Sequence, residues 1–289
     1  ERSLPAFARE PFHKRWEKYL RRSGHKALRV GGEFSREEVN PDLEISDKPQ
    51  VALFVDLFTN YHDPQIAESA VRVLRGLGYR VHLCDFVESG RPQLSKGMVD
   101  QVKPLVEENI KYLDAIARDE IPIVGLEPSE ILTFRDDYPD LCSDETYPRA
   151  QQIAEHTYQF EEFLLNHENL EDYFKKVNRP VYVHGHCHAK ALVGMQPTLD
   201  LLAAAGYLPV DMKTGCCGMA GSFGYEDDHY QVSMDIGELR LFPELRKRDE
   251  ETLICAPGFS CRHQIKDGVG EKAYHPAELL FRSLKARFY

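Results

Sequence analysis

One pattern is written twice along this 289-residue chain, and that repetition constrains the fold more than any single motif. In the first copy the run VALFVDLF (51–58) is continuously apolar, as a buried strand requires. Asp63-Pro64 then opens a helix as an N-cap followed by proline at the first helical position, and Ile66, Ala70, Val73, Leu74 and Leu77 recur on one face. Gly78 stands where the chain leaves the helix with positive φ, and Tyr79–Cys84 reads as a second strand. The result is a βαβ unit with a right-handed crossover.

The later copy runs from a strand PVYVHGH (180–186) to a helix starting near Pro197 and closing at Gly206-Tyr207, which mirrors Gly78-Tyr79. Gly78 to Gly90 is 12 positions, and so is Gly206 to Gly218; Ile123 to Glu130 and Ile254 to Cys261 each span 7. These spacings predict an α/β fold of two pseudo-repeated βαβ-type modules with mostly parallel sheets, preceded by a helical arm. Residues 1–48 are read as arm and linker, with an amphipathic stretch at Phe12–Leu20 and a polar run over 31–50. Residues 49–145 form the first module and 146–289 the second.

The copies differ where chemistry would sit. The two residues before the second glycine are Cys216-Cys217 in the later copy and Glu88-Ser89 in the earlier one, and Cys261 stands opposite Glu130. Cys187 follows the later first strand, with Asp56 or Leu57 as its counterpart. Strand ends are where open α/β folds place their sites, so Cys187, Cys216, Cys217 and Cys261 are expected to converge from three loops. Four thiolates fit an iron–sulfur cluster or tetrahedral zinc, and the spacing is that of neither a zinc finger nor a ferredoxin. A core gains nothing from adjacent thiols, whereas the isolated Cys84, Cys142 and Cys255 read as small buried hydrophobes.

Glycines at 215, 218, 221 and 224 let the backbone approach such a centre and offer it N–H groups. His184, His186 and His188 alternate around Cys187 and would share one face of a strand, where one could ligate iron or zinc or donate to a thiolate, although such histidines are more often satisfied polar groups near a site. Arg262 and His263 could offset thiolate charge or lie at the surface. Gly218, Ser222, His186, His188 and Arg262 are taken as the residues contacting the bound group. In the first module Asp56, Glu88 and Glu130 read as a solvated remnant, with a hard-cation site as the alternative.

Composition narrows the function class. The net charge of −11 and the lack of a basic stripe argue against nucleic acid. No apolar run approaches the ~20 residues of a membrane helix, and no signal peptide is evident. Seven cysteines, two of them adjacent, suit metal ligation in a reducing compartment better than a disulfide framework, so the expected location is the cytoplasm. A first residue Glu1 in place of Met suggests a piece of a longer polypeptide.

Taken together, LFTNYHDP, SGRPQLSKG, VGLEPSE, HGHCHAK, TGCCGMAGSFGYE, VSMDIGE and GFSCRHQI resemble the cysteine-rich CCG domain of iron–sulfur oxidoreductases. That domain occurs in heterodisulfide reductase and in the iron–sulfur subunits of glycolate, lactate and glycerol-3-phosphate oxidation systems. The likeness is strongest to the C-terminal region of FAD-linked oxidases related to D-lactate and D-2-hydroxyglutarate dehydrogenases. The resemblance implies an electron-transfer module carrying a 4Fe-4S cluster, with zinc as the alternative, held by Cys187, Cys216, Cys217 and Cys261. It implies partners too: a flavin dehydrogenase domain or subunit, with its FAD, and a ferredoxin-like iron–sulfur domain, through which the module could lie peripheral to a membrane. Such a module is an oxidoreductase part, not a complete enzyme; the other reading is a zinc-stabilised docking domain. The family's CCGRP and EPSC read ESGRP and EPSE here, so the first site is expected to have lost its cluster. Only Cys261 stands where the family has a CxxC pair, with Gly258 three positions before it.

Overall fold

The computed structural model describes residues 2–22, 29–30, 48–84 and 88–288, so most of the expected linker (31–47) lies outside the described residues. Two all-parallel sheets carry the fold. The first contains β1 (Arg29–Val30), β2 (Gln50–Phe54), β3 (Arg80–Cys84), β4 (Ile123–Gly125) and β5 (Thr157–Gln159) in the order β1-β3-β2-β4-β5. The second contains β6 (Pro180–Val183), β7 (Leu208–Asp211), β8 (Leu253–Cys255) and β9 (Ala273–Tyr274) in the order β7-β6-β8-β9. Leaving β1 aside, the two orders are the same, which is the duplication expected from the sequence. The arm contributes the helix Phe12–Arg22, and β1 adds an edge strand that the sequence did not reveal.

The apolar residues do the work their spacing implies. Val51, Ala52, Leu53 and Phe54 of β2 are all buried, because helices cover both faces of a parallel sheet. The helix Pro64–Gly76 buries Ile66, Ala70, Val73 and Leu74. Asp63 is its N-cap, and Gly78 takes φ +93° just past its end.

Both first strands end earlier than their apolar runs suggest. After β2, Asp56 accepts from Thr59 N (2.9 Å) and Thr59 Oγ1 (2.5 Å) and starts the helix Leu57–Tyr61. After β6, His186 accepts from His188 N (3.2 Å) and starts the helix Cys187–Leu192. Equivalent caps pair Asp56 with His186 and Leu57 with Cys187, which settles the one-place ambiguity in the alignment.

The chain forms two compact units. One holds Ala8–Leu126 and Glu130–Phe160; the other holds the N-terminal residues through Phe7, Glu127–Ser129 and Glu161–Arg287. The division therefore falls later than 145/146, because β5 pairs in parallel with β4 and stays with the first sheet. Within the second unit the Arg2 side chain is buried: its guanidinium meets Asp267 at 2.6 Å, donates to Gly224 O at 2.7 Å, bonds Gln264 and lies over the Tyr225 and Tyr230 rings. No helix among the described residues is long and apolar enough to cross a membrane.

Burial gives the first sheet a pH response. His82 Nε2 donates to Gln50 Oε1 (2.8 Å), and burial, aided by the Arg80 charge, holds its pKa down to about 4. The unfolded chain takes up this proton below its ordinary value near 6.5, so the stability is fully present above that value and is lost as pH falls toward about 4. Urea unfolding should show a loss reaching about 3 kcal/mol across that window, and His82→Gln should flatten it. Identical pH profiles for the two proteins would refute this assignment.

Candidate metal centre

The strand register brings the candidate residues to one edge of the second sheet. Val183, the last residue of β6, pairs with Asp211 of β7 on one side and Cys255 of β8 on the other. The three strands run in parallel, so the segments leaving them emerge side by side. Cys187 is the first residue of the helix after β6, Cys216-Cys217 lie in the loop after β7, and Cys261 lies in the first turn of the helix Phe259–Val269 after β8.

There the Cys217 side chain interacts with that of Cys216 and with that of Cys261. His184, Cys217 and Cys261 offer ligand atoms that all lie within 4.8 Å of one another, and His186, Cys187 and His188 form a second such group. Cys216 is in neither group, and its influence on the Cys187 thiol is electrostatic. The single face expected for His184, His186 and His188 does not form, since β6 stops at Val183 and the later two enter a helix. His184 lies instead with Cys217 and Cys261, its Nδ1 2.6 Å from Thr214 Oγ1. The sequence marks it as one of three histidines that could ligate without singling it out, and only its place at the strand end sets it apart.

Burial sets the protonation of these groups. Cys217 and Cys261 are buried beside Met219, Phe242, Ile254 and Ile265, while Cys187 and Cys216 are exposed. The hydrogen bond with Cys217, then burial, pushes the Cys216 thiol up. For Cys217 the bond with Cys216 pulls down, but the bond with Cys261 and burial push up further and prevail. Burial raises Cys187 and lowers His184 to about 4 and His186 to about 3. Without a metal, Cys187, Cys216 and Cys217 are thus thiols and His184 and His186 neutral imidazoles, and a soft cation is what would convert the former into thiolates. Donor type and position both fit such a cation.

Several contacts hold the loops. Lys190 Nζ donates to Thr214 O (3.1 Å) and Gly215 O (2.8 Å), tying the Cys187 helix to the loop before the cysteine pair. Gly218 N donates to Cys216 Sγ at 3.3 Å. Arg262 donates to Pro257 O (2.6 Å) and Ala256 O (3.3 Å), so it braces the exit from β8. Ser222 is exposed and donates to Glu226 (3.1 Å), whereas the His188 ring stacks on His186 at 5.6 Å. Cys84 and Cys255 are buried as read, but Cys142 is only half-buried, its Sγ 3.4 Å from Pro139 O.

The first unit repeats the geometry without thiols. Leu57, Glu88, Ser89 and Glu130, the counterparts of Cys187, Cys216, Cys217 and Cys261, line one cavity of about 200 Å³ with Pro92 and Gln93. Ser89 donates to Glu130 where Cys217 meets Cys261. Of the three carboxylates expected to form a solvated remnant, Glu88 is exposed but Asp56 and Glu130 are buried. Asp56, Glu88 and Glu130 do not form a metal-ligating group among the described residues, since the Asp56 carboxylate is engaged by Thr59.

No protein-family model matches the chain. It is 27% identical to D-2-hydroxyglutarate dehydrogenase of Pantoea ananatis over 89% of its own length and 24% of that protein's. It is 26% identical to one of the subunits of anaerobic glycerol-3-phosphate dehydrogenase of Escherichia coli K12, over 82% of the chain and 60% of the relative. It is also 26% identical to lactate utilization protein A of an Exiguobacterium strain, over 82% of the chain and 99% of the relative. The chain therefore spans about a quarter of the D-2-hydroxyglutarate dehydrogenase, more than half of the glycerol-3-phosphate dehydrogenase subunit and nearly the whole of the lactate utilization protein.

The turn after the cysteine pair is a sharp test of this geometry. Gly218 has φ +98°, and a Cβ there would fall on the carbonyl oxygen of Ser233, which is itself buried and bonded to Gln264 Nε2 at 2.9 Å. Gly218→Ala combines backbone strain with overpacking and should cost about 3 kcal/mol in denaturant unfolding. Wild-type stability in this variant would show that the turn is not built as described.

Proposed function

We propose that this chain is an electron-transfer module of an FAD-linked 2-hydroxyacid dehydrogenase, with one iron–sulfur centre of the CCG type in the second unit. Its electrons come from a flavin domain outside the described chain and pass to an acceptor by way of a ferredoxin-like domain. The observation that carries this reading is the placement of Cys187, Cys216, Cys217 and Cys261 on the segments leaving three adjacent parallel strands, with ligand atoms of Cys217 and Cys261 within 4.8 Å of each other. Two of the relatives are named as dehydrogenases or dehydrogenase subunits, which supports the same class.

An iron–sulfur cluster supplies one-electron transfer at a potential tuned by its ligands, nearby donors and burial. The residues around the centre suit that tuning. Cys217 and Cys261 place half of the donor set against apolar core, Gly218 directs an N–H at Cys216 Sγ, and Lys190 fixes the loop while bringing a positive charge near. The exposure of Cys187 and Cys216 leaves one side of the centre open to a partner.

A second reading is favoured by the grouping of His184 with Cys217 and Cys261, since a mixed nitrogen and sulfur set suits structural zinc. Metal and acid-labile sulfide analysis of anaerobically prepared protein separates the two. Iron with sulfide, and visible absorption that bleaches on reduction, is the expected outcome; colourless protein with stoichiometric zinc would overturn the redox reading. Cys216→Ser should abolish the visible absorption while the far-ultraviolet circular dichroism stays unchanged.

A further inference from the structure

We infer that Glu127 is a positioning residue for the thiol centre, fixing the start of the helix that carries Cys261 and bordering the start of the helix that carries Cys187; this rests on the metal-binding reading above. The need for such a residue follows from Gly258. It is the N-cap of the helix Phe259–Val269 and provides no side-chain cap. Nor could another residue provide one there, because a Cβ at Gly258 would fall on the His186 ring and come within 3.3 Å of Cys261 Sγ. The first N–H groups of a helix have no partner within it, and a buried one left unpaired is costly.

Glu127 meets that need from elsewhere in the chain. Its carboxylate is 4% exposed, and Oε2 accepts from Phe259 N at 2.7 Å. Ser129 Oγ donates to Oε1 at 3.0 Å and so fixes the orientation of the group. The same Oε1 lies 3.7 Å from His186 Nε2. His186 Nδ1 accepts from His188 N, so the ring proton of the neutral imidazole is on Nε2, the nitrogen that faces Glu127. One carboxylate therefore stands between the N-cap of the Cys187 helix and the first residue of the Cys261 helix. In the repeat alignment Glu127 is the counterpart of Gly258, since both lie four residues after the paired Ile123 and Ile254. One copy keeps the carboxylate, and the other keeps the space that the His186 ring fills.

Titration with Co(II) of the metal-free chain, read by thiolate-to-cobalt charge-transfer absorption and by the ligand-field bands, tests this without any redox partner. Glu127→Ala and Glu127→Asp, which remove or withdraw the acceptor, should weaken Co(II) binding at least about tenfold and shift the ligand-field bands. Glu127→Gln retains an acceptor for Phe259 N and should recover most of the affinity and the wild-type spectrum. Wild-type affinity and spectrum in folded Glu127→Ala or Glu127→Asp would overturn the inference. Unfolding of both would overturn it too, since Glu127 would then serve the fold and not the centre, and so would failure of Glu127→Gln to rescue. Absence of the charge-transfer band in the wild-type chain is a distinct result, which removes the metal-binding reading itself.

Discussion

The parallel register around β6 is the constraint on which the site depends. Because β7 and β8 flank β6 and run in the same direction, the three segments leaving them have no choice but to start together. Residues 184–187, 212–217 and 256–261 are far apart in sequence yet issue from neighbouring strands spaced by the hydrogen-bonding distance of a sheet. Short caps then act on what the sheet has gathered: His186 turns the chain into a helix at Cys187, and Glu127 meets the helix start that bears Cys261. The sulfur positions follow from backbone topology first and from side-chain packing second.

The two units show what side chains alone can change on such a scaffold. Gly90 and Gly218 both take positive φ, at +82° and +98°. Ser89 meets Glu130 in one unit where Cys217 meets Cys261 in the other. Yet one place holds a buried hydroxyl–carboxylate pair with Leu57 beside it, and the other holds soft donors with imidazoles beside them. In that pair the Ser89 hydroxyl donates to Glu130 and accepts from Arg91 N at 3.0 Å. The Cys216 and Cys217 thiols, raised by burial and by neighbouring sulfurs, would give thiolates only where a cation offsets their charge.

Much of this is legible in the sequence because it rests on backbone requirements. Glycine at 78, 90, 206 and 218 marks positive φ, and equal spacing between these glycines reports that β3 and β7 hold equivalent places in the two copies. The apolar run of β2 and the one-face pattern of Pro64–Gly76 report burial directly. What is not legible depends on contacts between distant residues. Asp56 and His186 end their strands by capping, which apolar runs cannot reveal, so both runs overstate the strands they contain. Neither the pairing of β5 with β4, nor the meeting of Glu127 with Phe259 N, has any local signature. His184 shows the same limit, since alternation around Cys187 suggests a shared face that exists only while the chain stays extended.

The claim that four sulfurs serve one centre is tested most directly by anomalous diffraction from crystals of anaerobically prepared protein. The account predicts a metal peak bounded by the Sγ atoms of Cys187, Cys216, Cys217 and Cys261, with the first unit's cavity free of anomalous signal. Anomalous density absent from these sulfurs, or confined to the cavity between Leu57 and Glu130, would contradict it.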